Sequence, residues 1–340
     1  MSRPTPRVWA LLAVVTVAIG VGTAVGVTEY RRAAAQDAAA DPVAATDLAS
    51  VSGVPHLVFR STAPGDQYGL VALVPLDDPS GPRAFTDVEC DRVAAGATAT
   101  ACLRTIRGVA TRFEAELLDA QWQTTETWPL PGVPSRTRLS SDQTLLATTS
   151  FVTGHSYTTT GFTTQTIVHD LTSGDSFDIE EFTLVVDGEE VAPVDRNLWG
   201  VTFADDDTFY ATAQSQSLGH TWLVRGSLSE RTVETIQDGG ACPSISPDGT
   251  RIGFKVQTSN DPVHWEIGIL DLRDGSQRVL TGETRSFDDQ IAWLDDDTVM
   301  YGLPRADEPG VTDVWSIDLA EDASPVLLVP QAWSPQVVGG

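Results

Sequence analysis

Several side chains with binding or proton-transfer chemistry fall in segments that show no strand pattern. Imidazole and carboxylate groups exchange protons or bind cations, guanidinium groups bind carboxylates, and Tyr and Trp rings offer flat surfaces for stacking. The candidate set is His155, Tyr157, Asp195, Arg196, Trp199, Asp288 and Asp289. A shared binding site requires a fold that brings their loops to one face. The alternative is structural, with His155 and Tyr157 packing inside their own loop and the paired aspartates capping a strand entrance.

A recurring turn predicts the elements that carry these loops. Residues 245–254 read Ile-Ser-Pro-Asp-Gly-Thr-Arg-Ile-Gly-Phe. Pro247 presets φ, Asp248 can accept a hydrogen bond from its own backbone, and Gly249 accepts positive φ, so the segment suits a tight hairpin. Apolar and polar residues then alternate over 251–256 with a period of two, which indicates a strand.

Four copies of this turn share an Asp two residues before a Thr, at Asp142, Asp206, Asp248 and Asp296. Their spacings of 64, 42 and 48 residues are near the roughly 40 to 45 residues of a four-stranded propeller blade, the longest implying a blade with long loops. We therefore predict an all-β, six-bladed propeller over residues 54–338. The first blade has three strands of its own, at 56–60, 68–74 and 83–86. Residues 332–338 should pair into it and close the ring, which removes exposed sheet edges.

The Ser-Pro-Asp-Gly-Thr-Arg-Ile hairpin resembles the repeat of TolB-like β-propellers over roughly residues 50–338. Segments 133–138, 154–157, 199–203 and 293–297 also resemble small exported TolB-like proteins of high-GC bacteria. The resemblance implies a six-bladed propeller. TolB itself carries an α/β domain ahead of its propeller and contacts the Tol and Pal proteins. Residues 36–53 are too few for such a domain, so we do not expect the Tol–Pal role here.

Propeller connectivity predicts which loops share a face. Turns between strands one and two, and between strands three and four, lie on one face, named here the turn face. The loops between strands two and three, and between blades, lie on the opposite face, named here the loop face. Six longer segments belong to the loop face: 153–164, 195–199, 214–220, 259–264, 286–290 and 305–311. All seven candidate residues lie in these segments, and between-blade loops open toward the central channel.

Catalytic motifs are missing from the sequence, which contains no G-x-S-x-G elbow, H-E-x-x-H, glycine-rich phosphate loop or C-x-x-C. The triplets Asp205–Asp207 and Asp295–Asp297 look like calcium ligands, but each falls in the repeated turn, where Asp bonds backbone. We therefore expect no catalytic residue, no metal and no cofactor. A channel-centred, metal-dependent propeller enzyme such as a lactonase stays open as an alternative, because its scattered carboxylates leave no short motif.

The N-terminus predicts a location outside the cytoplasm. Residues 8–27 are uncharged and apolar, which matches the roughly 20 residues needed to cross a bilayer as a helix. Arg3 and Arg7 favour a cytoplasmic position for residues 1–7, and residues 28–53 then form a linker. We expect a single-pass membrane protein with its propeller outside. The alternative is a signal peptide cleaved near Ala35, after an Ala-x-Ala sequence, and a secreted propeller.

Charge and cysteine usage agree with that location. The formal net charge of −26 makes nucleic acid and anionic membrane surfaces poor partners, and it favours solubility. Of the three cysteines, Cys90 and Cys102 fall in the predicted first and second strands of blade two. Because neighbouring strands lie within disulfide range and exported proteins meet oxidising conditions, we predict that these two are bonded. Cys242 is left as a lone, buried thiol.

The preferred functional hypothesis is a monomeric, non-catalytic scaffold that binds an envelope protein or cell-wall component through the loop face. It follows from fold and location. One alternative is the metal-dependent enzyme, which needs three or more carboxylates converging on the axis. Another is a small-molecule or glycan sensor, which needs Tyr157 and Trp199 exposed together at the channel mouth.

Overall fold

A computed structural model describes residues 14–28, 31, 43–152 and 163–339. The propeller sequence forms six β-sheets, one for each blade. The sheets follow one another along the chain, and their first strands contact each other in turn around the ring. The predicted six-bladed propeller is therefore confirmed.

Blade 1 combines both ends of the propeller sequence. Its sheet order is β1-β4-β3-β2-β27, and its strands are β1 (Ala45–Thr46), β2 (His56–Ser61), β3 (Leu70–Pro75), β4 (Arg83–Glu89) and β27 (Ala332–Val338). β27 runs antiparallel to β2, from Val338 opposite His56 to Ala332 opposite Ser61. This pairing confirms that the C-terminal strand completes the first blade.

Blades 2 and 3 are four-stranded meanders. The strands of blade 2 are β5 (Arg92–Ala95), β6 (Ala99–Ile106), β7 (Arg112–Asp119) and β8 (Thr124–Leu130). Those of blade 3 are β9 (Val133–Leu139), β10 (Leu145–Val152), β11 (Thr163–Asp170) and β12 (Ser176–Asp178).

Blade 4 carries an addition on its outer edge. The 3-10 helix η1 (Ile179–Glu181) leads into a hairpin of β13 (Thr183–Val186) and β14 (Glu189–Val191). The meander of the blade is β15 (Arg196–Phe203), β16 (Thr208–Ser215), β17 (His220–Ser227) and β18 (Thr232–Asp238). β13 pairs in parallel with β18, so the hairpin extends the sheet to six strands. This insertion accounts for part of the 64-residue spacing.

Blades 5 and 6 return to the four-stranded pattern. The strands of blade 5 are β19 (Ala241–Ile245), β20 (Arg251–Asn260), β21 (Val263–Asp271) and β22 (Gln277–Val279). Those of blade 6 are β23 (Ala292–Trp293), β24 (Thr298–Pro304), β25 (Thr312–Asp318) and β26 (Val326–Val329).

The core lies between adjacent blades, because each middle strand is covered on both faces by its neighbours. The Leu-Val-Ala-Leu-Val run of β3 is accordingly apolar throughout, and residues 71–74 are fully buried. Outer strands have one covered face at most, so β8 is largely exposed and polar. The apolar or polar character of a strand therefore depends on whether it is a middle or an outer strand of its blade.

Residues 45–52, predicted to be part of a linker, form β1 and the short helix α1 (Leu48–Ser52). β1 pairs in parallel with β4, at the outer edge of blade 1. Val51 of α1 is 1% exposed and belongs to the cluster that contains Val58, Val71 and Leu73. The segment thus covers an edge that would otherwise be open to pairing.

The predicted disulfide joins Cys90 and Cys102, with their Cα atoms 5.4 Å apart, and Cys242 is a free, buried thiol. Cys102 lies in β6 as expected. Cys90 lies one residue after β4 and before β5, not in the first strand of blade 2. The bond therefore ties the connection between blades 1 and 2 to the second strand of blade 2.

In the part of the chain that the structure describes, no helix has both the length and the apolar character to span a bilayer. The N-terminal helix is described over residues 14–28, while the predicted anchor begins at residue 8.

Removing β27 should abolish the propeller's cooperative folding. Deletion of residues 331–340 would expose the inner edge of β2 and remove Ala332 and Val338, both buried. It would also take away the Gln331 carbonyl oxygen that accepts from Arg83 Nη1 at 3.0 Å. We expect loss of a single thermal transition and of near-ultraviolet circular dichroism. Deletion of residues 339 and 340 alone is the control, and a truncated protein that unfolds like this control would contradict ring closure.

The disulfide should stabilise the propeller measurably. Replacing both Cys90 and Cys102 by Ser should lower the free energy of unfolding by about 2–4 kcal/mol, because the unfolded chain gains freedom. Denaturant titration checks this value. Alkylation of the denatured, unreduced wild type should label Cys242 alone, and labelling of Cys90 or Cys102 in its place would contradict the pairing.

Candidate functional site

Equivalent positions on the first strands form a ring around the propeller axis. In five of the first strands, the position lies three residues before the last residue that pairs with the second strand of the blade. In β27 it is the bulged residue that matches Cys242, namely Ser334. Around the ring the residues are Ser334, Arg92, Arg136, Gly200, Cys242 and Gln290. Two guanidinium groups thus share one level of the channel.

β-Bulges set the backbone at this level. The ladders shift register between Trp199 and Thr202 and between Ala241 and Ser244, and β27 shows the same irregularity opposite β2. Cys242 and Ser334 have φ of 53° and 54°, and each precedes a proline that cannot donate to the ladder. A Cβ on Gly200 would lie 2.8 Å from the Cα of Cys242. The close approach of blades 4 and 5 therefore requires glycine at position 200.

A cluster of charged side chains occupies the channel toward the loop face. Its cations are Arg92, Arg136, Arg138 and Lys255, and its anions are Asp288 and Asp289. The residues come from blades 2, 3 and 5 and from the connection into blade 6. The chain is acidic overall, yet cations outnumber carboxylates at this point.

The mouth of the channel is marked by Asp288, whose side chain is 77% exposed. Lys255 Nζ is bonded to its Oδ1 and lies 4.7 Å from the centre of the Trp265 ring. Arg136 Nη2 is 3.9 Å from the same oxygen. Partial desolvation by the channel wall opposes ionisation of this exposed side chain, but Lys255 and the nearby arginines outweigh it and hold the pKa of Asp288 below its ordinary value.

Asp289 lies deeper, with 4% of its side chain exposed. Its Oδ1 accepts from Gln290 N at 3.0 Å and from Arg92 Nη1 at 3.4 Å, and its Oδ2 accepts from Gly302 N at 3.2 Å. The Arg92 guanidinium also lies 4.2 Å from the centre of the Trp333 ring. Burial, with Arg136 nearby, lowers the pKa of Arg92 to about 10, so the group stays charged at neutral pH.

Arg136 and Arg138 lie next to each other in the channel wall, two residues apart on β9. Arg136 Nη1 donates to its neighbour's carbonyl oxygen, that of Ser135, at 2.8 Å. Arg138 donates to Gln336 Oε1 at 3.3 Å and to the Ile291 carbonyl oxygen at 3.2 Å. The Nε atoms of both arginines are buried and have no acceptor among the described residues. Burial lowers the pKa of Arg138 to about 10.

A cavity of about 20 Å³ lies between these groups. Its lining includes Arg92, Arg136 and Arg138, together with Asp289 and Gln336. This volume fits a water molecule or one small polar group. The arrangement can hold a negative charge, but it is too small for a drug-sized ligand.

Of the seven sequence-predicted residues, the structure places Asp288 and Asp289 in the channel. Asp195 instead binds the loop of blade 4, accepting from Ser215 Oγ at 2.9 Å and from Ser217 N at 2.6 Å. Arg196 Nε donates to the Glu180 carbonyl oxygen at 2.6 Å, at the boundary of blades 3 and 4.

Trp199 is half-buried on β15. His155 and Tyr157 lie outside the described residues. Whether the seven residues act together therefore stays a prediction.

Sequence reasoning missed the cations of the cluster. Arg92 and Arg136 occupy the same position in the repeat. An alignment of the first strands on the turns that follow them would have shown this match. Lys255 is the chain's single lysine. The predicted site residues come from segments expected to be loops, whereas the channel wall is built from strands.

The acidic triplets act as turns, as predicted. Asp205 Oδ1 accepts from Asp207 N at 2.9 Å and Thr208 N at 2.6 Å, and Asp295 Oδ1 accepts from Asp297 N at 2.9 Å. Within the described residues, no three His, Cys, Asp or Glu side chains are grouped to hold a metal ion.

Glu180 should make stability depend on pH. Burial raises its pKa from 4.5 to about 8, although Thr164 Oγ1 and Leu198 N donate to its carboxyl group. Between these values the folded protein keeps a proton that the unfolded chain loses. Stability therefore falls as pH rises through this window, by at most about 1.4 kcal/mol per pH unit.

Denaturant titrations from pH 5 to 9 would test this assignment. Glu180→Gln should remove most of the decline, whereas the neighbouring exposed control Glu181→Gln should keep it. An unchanged pH profile in Glu180→Gln would contradict the assignment.

Comparison with known proteins identifies the fold. No family model and no curated protein matches the sequence. Among solved structures, TolB from Acinetobacter baumannii matches with a TM-score of 0.58 and 16% identity, over 83% of this chain and 66% of that one. The chain thus spans just under two thirds of that protein's length.

A putative TolB from Agrobacterium tumefaciens matches with a TM-score of 0.48 and 11% identity, over 82% and 90% of the two chains. An oligogalacturonate lyase from Vibrio parahaemolyticus matches with a TM-score of 0.47 and 11% identity, over 78% and 77%. The match to the Acinetobacter baumannii protein, at 16% identity, speaks for architecture and leaves activity open. The chain is a six-bladed β-propeller with the TolB-like fold.

Proposed function

We propose that the protein is a non-catalytic scaffold that binds a protein of the cell envelope through its loop face. The observation that carries this proposal is the distribution of exposed apolar side chains. Most of the large ones described in the propeller flank loops between strands two and three or between blades: Tyr68, Val109, Val133, Phe151, Val194, Leu218 and Val263.

Two of these side chains are especially open to solvent. Val109 and Val194 have relative exposures of 113% and 102%, the highest among the exposed large apolar residues. The turn face carries Val54, and the remaining examples in the propeller lie on outer strands. Exposed apolar groups that concentrate on one face favour a protein interface there. A propeller also supplies a rigid frame that positions its loops for binding.

The charged channel mouth opens on the same face. Lys255 and Asp288 are bonded to each other at the rim, and Arg136 lies behind them. Both carboxylates of the cluster are matched with cations, which supports binding by charge and does not favour a metal-dependent reaction. A partner would therefore meet apolar side chains around a centre with excess positive charge.

A location outside the cytoplasm is part of the proposal. The Cys90–Cys102 disulfide supports it, since such bonds persist in oxidising compartments. The apolar run over residues 8–27 supports it as well, as either an anchor or a signal sequence.

Site-specific photo-crosslinking in intact cells would test the binding face. A photoreactive amino acid at Val194 or Val109 should capture one reproducible envelope protein, because both positions project from the loop face. The matched control is Ala120, which is exposed in the turn between β7 and β8 on the turn face. Equal capture from Ala120, or none from the loop-face positions, would contradict the proposal.

A further inference from the structure

We propose that the channel cavity beside Arg136 and Arg138 is a binding site for a carboxylate group that enters from the loop face. The inference rests on the proposed function only for the source of that group, namely the bound partner. The site itself follows from charge balance, unpaired donors and volume.

The charge balance is uneven at depth. Asp288 pairs with Lys255, and Asp289 pairs with Arg92 at 3.4 Å. Among the described residues Arg138 has only neutral acceptors, while Arg136 has the Cys242 thiol beside it and its carboxylate neighbour at 3.9 Å, beyond hydrogen-bond distance. Neither guanidinium group thus has a hydrogen-bonded carboxylate in the described part of the chain. A buried charge that lacks a close counter-charge is costly, so an entering anion would be stabilised.

The unpaired donors have the geometry that a carboxylate prefers. Arg136 uses Nη1 for the Ser135 carbonyl oxygen, and its Nε is buried without an acceptor among the described residues. Nη2 lies on the same edge as Nε, 3.9 Å from Asp288 Oδ1, and the Cys242 thiol lies beside the guanidinium group. That edge presents two parallel N–H groups, which match the two oxygens of a carboxylate. Arg138 lies two residues further along the same strand, and its Nε is also buried without an acceptor among the described residues. Because the cavity is about 20 Å³, it admits the charged end of a group and not a large ligand.

A buried Nε without an acceptor does not by itself indicate an anion site, as Arg251 shows. Its Nε also lacks an acceptor within the described residues, yet Asp297 lies 2.9 Å and Asp248 3.5 Å from its terminal nitrogens. Its charge is therefore balanced within the protein. Arg251 lies on the turn face with 19% of its side chain exposed, close to the 12% of Arg136. It offers a matched control.

The first test uses purified full-length protein and sodium formate as the probe. The midpoint of thermal unfolding should rise saturably when formate replaces chloride at constant ionic strength, since a ligand of the folded state stabilises it. Arg136→Gln should weaken the apparent affinity for formate about tenfold or more, and Arg251→Gln should leave it unchanged. The absence of a saturable rise would overturn the carboxylate assignment.

A second variant covers the case in which Arg136→Gln does not fold. Gln336 lines the cavity and its Oε1 already accepts from Arg138, so Gln336→Glu puts a carboxylate at that position with little change in shape. This variant should unfold at a higher temperature than the wild type in chloride and should lose the response to formate. A lower midpoint with the response intact would overturn the site.

The source of the carboxylate is tested separately. If the partner supplies it, Gln336→Glu should reduce the yield of the crosslink from Val194, because the site is already filled from inside. An unchanged yield would overturn the partner as the source and assign the site to a free anion. The formate experiment needs no partner and the crosslink needs no formate, so failure of either proposal is distinguishable from failure of the other.

Discussion

Pairing of β27 with β2 is the constraint on which the rest of the structure depends. Until that strand is in place, blade 1 has an open inner edge and the ring has no fixed circumference. Arg83 reinforces the closure, since its guanidinium donates to the Pro330 and Gln331 carbonyl oxygens and lies 5.2 Å from the centre of the Phe59 ring. Closure also sets the channel, because Ser334 and Gln336 of β27 form part of its wall. The cavity between the charged groups is therefore complete only in the closed molecule.

A perfect six-fold repeat would place the same residue at all six positions around the axis, but in this chain the residues at these positions differ. Blades 2 and 3 place arginine at the ring position, while blades 4 and 5 place Gly200 and Cys242 there. The second pair allows close approach of two backbones, whereas the first places guanidinium groups in the channel. Blades 2 and 3 thus contribute three of the four cations of the cluster, and Lys255 of blade 5 contributes the fourth.

Much of the fold was predictable from the sequence because its determinants are local. Ser246 Oγ and Asp248 bond within the hairpin, and the Thr250 backbone N donates to Asp248 Oδ1 at 3.0 Å, as the motif implies. The β13–β14 hairpin was not predictable in this way, since its strands are short and its parallel pairing with β18 joins distant segments. The candidate site was harder still. Asp288 and Asp289 stand out as loop residues, but Arg92 is 197 positions from Asp289 and meets it only through the ring.

The excess of positive charge in the cluster is opposite in sign to the net charge of the whole chain. A protein with net charge −26 repels anions at long range, so an excess of buried arginine does not serve to attract them from bulk solvent. Screening limits that repulsion to about 8–10 Å at physiological salt, and within the channel mouth the local cations prevail. Such an arrangement favours an acidic group that is brought to the face by other contacts over a free anion that must diffuse in. Apolar side chains around the loop face supply those contacts, and the arginines then select what enters the channel. Recognition would accordingly divide between a surface that provides affinity and a channel that provides specificity.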